Sequence, residues 1–283
     1  MIATVSWRQL LAEATGALGS AVDARRIVER ASGWAGAEHH VHLDEPVATR
    51  SLAFFDAMVA RRAAGEPLQY VVGSWGFRRL DLLVDRRVLI PRPETEMVVE
   101  AALGELARLG GDVVVDLGTG SGAIALSMAV EARPSEVWAT DSSADALAVA
   151  RANLAGVGGR GATCVRLVEG NWFGALPAEL RGRVDLVVSN PPYVAEPEVA
   201  DLPPEVAGHE PRAALVGGPT GLEQVARIVA EAPGWLASPG ALVVELAPAQ
   251  ASAASALARD AGFADVDVRP DLAGRLRTLV ARR

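Results

Sequence analysis

The chain has 283 residues, half of them hydrophobic and 22% charged, with 35 acidic against 27 basic side chains and a net charge of −8. That length suggests two domains at roughly 100–200 residues each, and the acidic balance excludes a broad basic groove tracking a nucleic acid backbone, leaving room only for a local basic patch. Every Lys+Arg position is arginine, which excludes a Walker phosphate loop, a pyridoxal Schiff base and a lysine nucleophile.

The N-terminal stretch Met1–Leu18 is interrupted by Arg8, Gln9 and Glu13 and does not read as a signal peptide. No apolar run approaches the roughly 18 residues of a membrane span. Residues 1–73 are expected to form a small helical domain. Apolar positions in Trp7–Leu18, Ala21–Ala31 and Leu52–Ala64 recur at steps of three and four. Asp23 and Ser51 are candidate helix starts, and Pro46 and Gly65 break the pattern. His39, His40 and His42 lack a cysteine partner or a helical spacing with a carboxylate, so a solvated loop is expected there, with no metal. Residues 74–93 change character. Phe77, Leu80, Leu82, Val84, Val88 and Ile90 are spaced as two short strands about the charged turn Asp85-Arg86-Arg87, a β-hairpin linker. Pro91 and Pro93 stiffen the chain, and a helix is expected to begin near Glu94, with Arg92, Glu94 and Glu96 either placing a substrate loop or closing a ligand pocket, or simply starting that helix.

Residues 94–283 read as alternating strand and helix. Candidate strands are Val113–Leu117, Glu136–Asp141, Thr163–Val168, Val184–Ser189 and Ala241–Leu246. Helical stretches are Ala123–Glu131, Ala144–Leu154 and Leu222–Ala232. This predicts an α/β domain with a mostly parallel sheet and helices on both faces. Val266–Arg269 and Leu276–Ala281 are expected as an antiparallel pair at the sheet edge. The single cysteine, Cys164, is expected to be a buried core thiol; with no disulfide to form, the chain suits a reducing cytoplasm.

After the first strand of this domain comes Asp116-Leu117-Gly118-Thr119-Gly120-Ser121-Gly122, opening a helix. Glycines permit a tight turn and close approach of backbone to a ligand, and ligands of open α/β sheets bind at the carboxyl ends of the strands. The second strand ends in Asp141, placed to accept hydrogen bonds from both hydroxyls of a ribose. Gly118, Gly120 and Ala123 also satisfy the dinucleotide pattern. Asp116 and the third glycine make the run resemble motif I of class I S-adenosylmethionine-dependent methyltransferases. The fourth strand leads into Asn190-Pro191-Pro192-Tyr193. Two prolines can simply end a strand, but this tetrapeptide resembles the signature of methyltransferases acting on planar nitrogen. An amide nitrogen is a poor nucleophile because its lone pair is delocalised. Acceptors that hold its N–H groups, here the Asn190 side-chain oxygen and the Pro191 carbonyl, aim its electron density at the methyl. The prolines stiffen that backbone, and Tyr193 offers a flat face. Such alignment is worth up to ~7–11 kcal/mol.

Four further stretches stand out, the first two of them highly specific. Arg61–Tyr70 is followed by Val88-Leu89-Ile90-Pro91-Arg92-Pro93-Glu94-Thr95-Glu96, then by His209–Leu215 and Gly274–Arg277. With them the chain, from about residue 61 onward, resembles the release factor glutamine methyltransferases, the PrmC/HemK family. The resemblance implies a Rossmann-like, mostly parallel seven-stranded sheet behind an N-terminal helical domain and a hairpin linker. It implies S-adenosylmethionine as cofactor, and as substrate the glutamine of the Gly-Gly-Gln motif in class I peptide chain release factors. Cofactor contacts are implied for Gly118, Thr119, Gly120, Ser121, Gly122, Asp141, Trp172 and Asn190. Substrate contacts are implied for Asn190, Pro191, Pro192 and Tyr193, with Asn190, Pro191 and Tyr193 catalytic and no metal. Trp172 also has an ordinary reading as a packed core aromatic. Asn171 stands where the family often has aspartate; either side chain is expected to bond near the adenine. A related branch methylates a ribosomal-protein glutamine and also carries the tetrapeptide, but differs at the segment here kept as Pro93–Glu96. A DNA adenine methyltransferase would need a basic recognition region, and a non-catalytic adaptor would not need the glycine loop, Asp141 and the tetrapeptide together. A cytoplasmic monomer binding neither nucleic acid nor membrane is expected. His209 is expected in the loop after the tetrapeptide, and Glu245 to be structural or substrate-facing.

Overall fold

Ser6 starts the first helix by a reciprocal cap: its hydroxyl accepts the Gln9 N–H while the Gln9 side chain accepts the Ser6 N–H at 2.8 Å. The computed structural model describes residues 5–283; the first residues of the expected helical domain, 1–4, lie outside the described residues. Helices α1 (Trp7–Leu18) and α2 (Ala21–Ser32) each end in a left-handed glycine, Gly19 and Gly33. The cap of α2 is Ser20, not Asp23. Asp23 lies in the first turn, where its charge suits the helix dipole. Short α3 (Ala37–Val41), long α4 (Thr49–Ala63) and short α5 (Leu68–Val72) follow. Helix α4 starts two residues before Ser51 and has no side-chain cap. The core of this unit joins Trp7, Leu10, Ile27, Val28, Phe55, Met58 and Val71. The histidine loop is a correction: His39 and His40 lie on α3 with His39 buried, and His42 stacks on Trp34 and bonds Glu45. The local pattern is too short to show that helix. Segment Pro203–His209 belongs to the same compact unit as the residues up to Ser74, and Arg62 there pairs with both Asp23 and Glu205.

The second unit, Trp75–Leu202 with Glu210–Arg283, begins with the hairpin β1 (Ser74–Phe77) and β2 (Leu80–Leu83). Its turn is at Arg78-Arg79, not at residues 85–87 as the spacing predicts. Arg78 takes a positive φ of 49°, and Glu96 accepts its N–H while Glu131 and Glu100 take its guanidinium. These are long-range partners, invisible to a local pattern. Asp85–Val88 form a separate turn closed by the Asp85–Arg87 pair. Helix α6 (Pro93–Leu109) starts with proline in its first turn and Glu94 and Glu96 beside it.

The sheet then assembles from β3 (Val113–Leu117), α7 (Ala123–Glu131), β4 (Glu136–Asp141), α8 (Ala144–Val157), α9 (Gly159–Cys164), β5 (Val165–Glu169) and β6 (Val184–Ser189). After it come β7 (Val194–Ala195), α10 (Pro204–His209, in the first unit), α11 (Arg212–Leu215) and β8 (Val216–Gly218). The remainder is α12 (Glu223–Glu231), β9 (Leu236–Glu245), α13 (Ala251–Asp260), β10 (Asp265–Pro270) and β11 (Leu276–Arg282). Seven strands run in the order β10-β11-β9-β6-β3-β4-β5. Strands β9, β6, β3, β4 and β5 are parallel, and β11 and β10 are antiparallel at one edge. Strand β5 starts at Val165 because Gly159–Cys164 coil into α9, with Cys164 buried at its end. Strand β9 starts five residues before Ala241. Helix α13 escapes the hydrophobic pattern because alanines, Ala251, Ala254 and Ala258, form its buried face. Among the described residues no helix is long and apolar enough to cross a membrane. The chain leaves β3 toward β4 on one side and β6 toward β9 on the other, so a crevice opens at the carboxyl ends of β3 and β6.

Candidate active site

The glycine loop occupies that crevice and is pinned from β4. The Gly118 and Thr119 N–H groups both donate to the Thr140 carbonyl at 2.9 Å. The neighbouring Asp141 carboxylate accepts the Gly120 N–H through Oδ2 and the Ser143 N–H through Oδ1, each at 2.9 Å. Burial raises the Asp141 pKa against these backbone bonds. Each oxygen keeps acceptor capacity after one bond, and Asp141 lines the cavity. The three glycines differ in purpose. A Cβ on Gly118 would lie 3.1 Å from the Trp172 ring and one on Gly122 3.1 Å from Leu126, so both serve close packing. A Cβ on Gly120, at φ 56°, would meet nothing within 4 Å and would project into the cavity. Gly120 is therefore where the loop backbone is open to the cavity.

Asp116 supports the loop from below. It is fully buried; Oδ2 accepts the Thr119 hydroxyl at 2.6 Å and the Ala125 N–H at 3.1 Å, while Oδ1 has no partner. Burial drives its pKa up to about 7. Sequence reasoning missed a second support, Asn153. From α8 it donates to the carbonyls of Ser121 at 2.8 Å and Leu83 at 3.0 Å, and accepts the Leu83 N–H at 2.7 Å. A lone asparagine on the buried face of an alanine-rich helix was the available signal.

The opposite wall grows from β6. Ser189 pairs with Leu117 of β3 and Val244 of β9, and its hydroxyl donates to the Leu117 carbonyl at 2.7 Å. The next residue, Asn190, thus emerges between the glycine loop and Glu245. Its Nδ2 donates to Thr95 Oγ1 at 3.2 Å, Thr95 donates to Glu245 Oε2 at 2.7 Å, and the Tyr193 hydroxyl donates to Glu245 Oε1 at 3.2 Å. Glu245 is 1% exposed. Burial pushes its pKa up, opposed by the Thr95 and Tyr193 hydroxyls and the Arg277 charge. Burial and the Glu245 charge raise the Tyr193 pKa in turn. Gln250 donates to the Tyr193 carbonyl at 2.9 Å. A Cβ on Gly217 would lie 2.5 Å from the Pro192 carbonyl oxygen and one on Gly221 would overlap the Tyr193 carbonyl, so the tetrapeptide backbone lies against these glycines.

Gly118, Thr119, Gly120, Ser121, Asp141, Trp172, Asn190 and Pro192 come together around one cavity of about 340 Å³, with Val88, Leu89 and Ile124 among its apolar residues. Gly122, Pro191 and Tyr193 are adjacent in chain but do not line it. Trp172, at φ 49°, donates from its ring nitrogen to Gln224 at 3.1 Å, and Gln224 donates to the Gly217 carbonyl. Asn171 also lines the cavity, with its side-chain oxygen taking a bond from Arg227 at 3.3 Å. Arg92 pairs with the buried Glu210, which also accepts the Ile90 N–H. Burial raises the Glu210 pKa against the Arg92 charge. His209 closes α10 instead of sitting in a loop. An acceptor pair at Asp141, an open glycine backbone, a flat indole and an amide at the far end fit an elongated ligand carrying a diol, a ring and a reactive terminus. Among the described residues no group of three or more His, Cys, Asp or Glu is arranged to hold a metal.

Residues 5–73 match the model of the PrmC N-terminal domain, and residues 98–202 that of the methyltransferase small domain. The release factor glutamine methyltransferase of Bordetella pertussis is 45% identical over 253 residues, 89% of this chain and 91% of that protein. That of Cereibacter sphaeroides is 42% identical over 272 residues, 95% and 93% of the two chains. Among solved structures, a methyltransferase from Pyrococcus furiosus matches with TM-score 0.54 at 21% identity, covering 80% of this chain and 96% of that one; this likeness concerns the fold.

Proposed function

This chain belongs to the release factor glutamine methyltransferase family, and we propose that it methylates the side-chain amide nitrogen (N5) of the glutamine in the Gly-Gly-Gln motif of class I peptide chain release factors, using S-adenosylmethionine. One observation carries the reading. A ribose-suited carboxylate, Asp141, an open glycine, Gly120, and the Asn190 amide face one cavity from its two walls, which suits a cofactor and a substrate amide meeting there. The cofactor supplies an electrophilic methyl carbon.

The residues perform the remainder. Asp141 accepts the two ribose hydroxyls, and the glycine loop lies against the aminoacyl part. Trp172 and Asn171 bound the adenine end. Asn190 accepts one N–H of the glutamine amide through Oδ1 and the Pro191 carbonyl accepts the other. This holds the nitrogen lone pair toward the methyl. Tyr193, held by Glu245, flanks the planar amide. No strong base is required: the methylated amide is strongly acidic until it loses its proton, which passes to water. The product is S-adenosylhomocysteine. We place this activity in the cytoplasm, with residues 1–73 as the substrate-recognition domain, 74–93 as its hairpin linker and 94–283 as the catalytic domain, acting as a monomer without direct nucleic acid contact.

Peptide mass spectrometry tests this. Release factor incubated with enzyme and cofactor gains one methyl on the Gly-Gly-Gln glutamine; a methyl found elsewhere, or only on a ribosomal protein, overturns the substrate.

A further inference from the structure

Asn190 presents two chemically opposite ends, a carbonyl oxygen and an NH₂ group, and only the oxygen can accept an N–H from a substrate amide. The tetrapeptide alone does not decide which end faces the cavity. Thr95 does: its hydroxyl proton is committed to Glu245 at 2.7 Å, so toward Asn190 it offers a lone pair, and the Asn190 NH₂ donates to it at 3.2 Å. The amide oxygen is then turned the other way. Glu245 itself comes from the end of β9, in register beside β6, and Thr95 from the first turn of α6. Its second oxygen takes the Tyr193 hydroxyl. One buried carboxylate thus orders both ends of Asn190–Tyr193.

We propose that Thr95, backed by Glu245, is a positioning residue that fixes the Asn190 side chain with its oxygen toward the substrate amide. This rests on the glutamine-methylation reading for its consequence in catalysis, but not for the orientation itself. Replacing Glu245 by glutamine would leave one acceptor oxygen for the two hydroxyls of Thr95 and Tyr193. With the glutamine NH₂ facing Thr95, the threonine proton would be released toward Asn190, and the Asn190 amide would turn its NH₂ into the cavity, where it repels the substrate N–H.

Two readouts test this. In the ¹⁵N-labelled protein alone, hydrogen exchange of the Asn190 side-chain amide is slow in the native enzyme and in Thr95→Ser, and about tenfold faster in Thr95→Val, where the acceptor is gone. In steady-state methylation of release factor, Thr95→Val and Glu245→Gln each lower kcat by about 10- to 100-fold while the dissociation constant for S-adenosylhomocysteine changes less than about twofold; Thr95→Ser recovers most of the loss. If Thr95→Val leaves both the Asn190 exchange and kcat as in the native enzyme, or if Thr95→Ser is as impaired as Thr95→Val, the proposal is overturned. Native enzyme that fails to label release factor removes the substrate reading, and the exchange series then decides the orientation by itself. Should Glu245→Gln not fold, the Thr95 pair carries the test.

Discussion

Asn153 donates its side-chain N–H to the Ser121 carbonyl at 2.8 Å, so helix α8 holds the glycine loop from behind. The same side chain makes two bonds to the backbone of Leu83, joining hairpin and loop through one residue. Asn153→Ala removes all three bonds, among them the buried one to the Ser121 carbonyl. We expect a loss of roughly 2–3 kcal/mol in urea unfolding together with weaker cofactor binding. A change below ~0.5 kcal/mol, the range of an ordinary surface substitution, would show that the clasp contributes nothing.

Asp141 accepts loop N–H groups with both oxygens, and on the proposed function the same two oxygens also hold the ribose. Asp141→Ala is predicted to raise the dissociation constant for S-adenosylhomocysteine by about 10- to 100-fold, the loss of one or two charge-assisted hydrogen bonds, measured by titration calorimetry. Undiminished affinity would remove Asp141 from the ligand site.

Gly221 and Gly262 both have positive φ, 76° and 91°, but only Gly221 lies against other backbone. A Cβ there would overlap the Tyr193 carbonyl and lie 2.8 Å from the Ala195 nitrogen, while one on Gly262 would meet nothing within 4 Å. Gly262→Ala is expected to cost about 1–2 kcal/mol, backbone strain alone. Gly221→Ala is expected to cost more than about 2 kcal/mol and to displace Tyr193, lowering kcat. Equal melting shifts for the two would contradict the close packing assigned to the Asn190–Tyr193 backbone.

Glu105 is buried and takes ion pairs from Arg282, Arg269 and Arg108. The Arg282 bond, ahead of the burial that opposes it, holds its pKa at about 2. Because the folded value lies below the unfolded one, the stabilisation is present above the ordinary glutamate range and disappears as pH falls toward 2. Its size is at most about 3 kcal/mol. The stability difference between native protein and Glu105→Gln, from denaturant titrations, should be largest near pH 6 and shrink steadily below pH ~4.5. A difference that stays constant over that range would contradict the assignment.

The sheet was legible where the pattern is local. Val113–Leu117, Glu136–Asp141 and Val184–Ser189 are largely apolar strands bounded by turn residues, and they appear with the expected bounds. The gathering of Gly120, Asp141 and Asn190 follows from strand order, since residues at the carboxyl ends of adjacent parallel strands must meet. What stayed hidden depends on partners far away in sequence. The hairpin turn at Arg78 needs Glu96 and Glu131, and α13 packs through alanines that carry little hydrophobic signal. Thr95 was part of a recognised segment, but only the α6–β9 packing gives it Glu245 and Asn190. Likewise, nothing local to Asn153 announces that it reaches Ser121 and Leu83.

The most direct measurement is transfer of labelled methyl from S-adenosylmethionine to purified release factor, run beside a factor whose Gly-Gly-Gln glutamine has been changed and beside an Asn190→Ala enzyme. Label is expected on the native factor alone, with the Asn190→Ala enzyme still binding S-adenosylhomocysteine. Label on the glutamine-substituted factor, or full activity of Asn190→Ala, would contradict the proposed function.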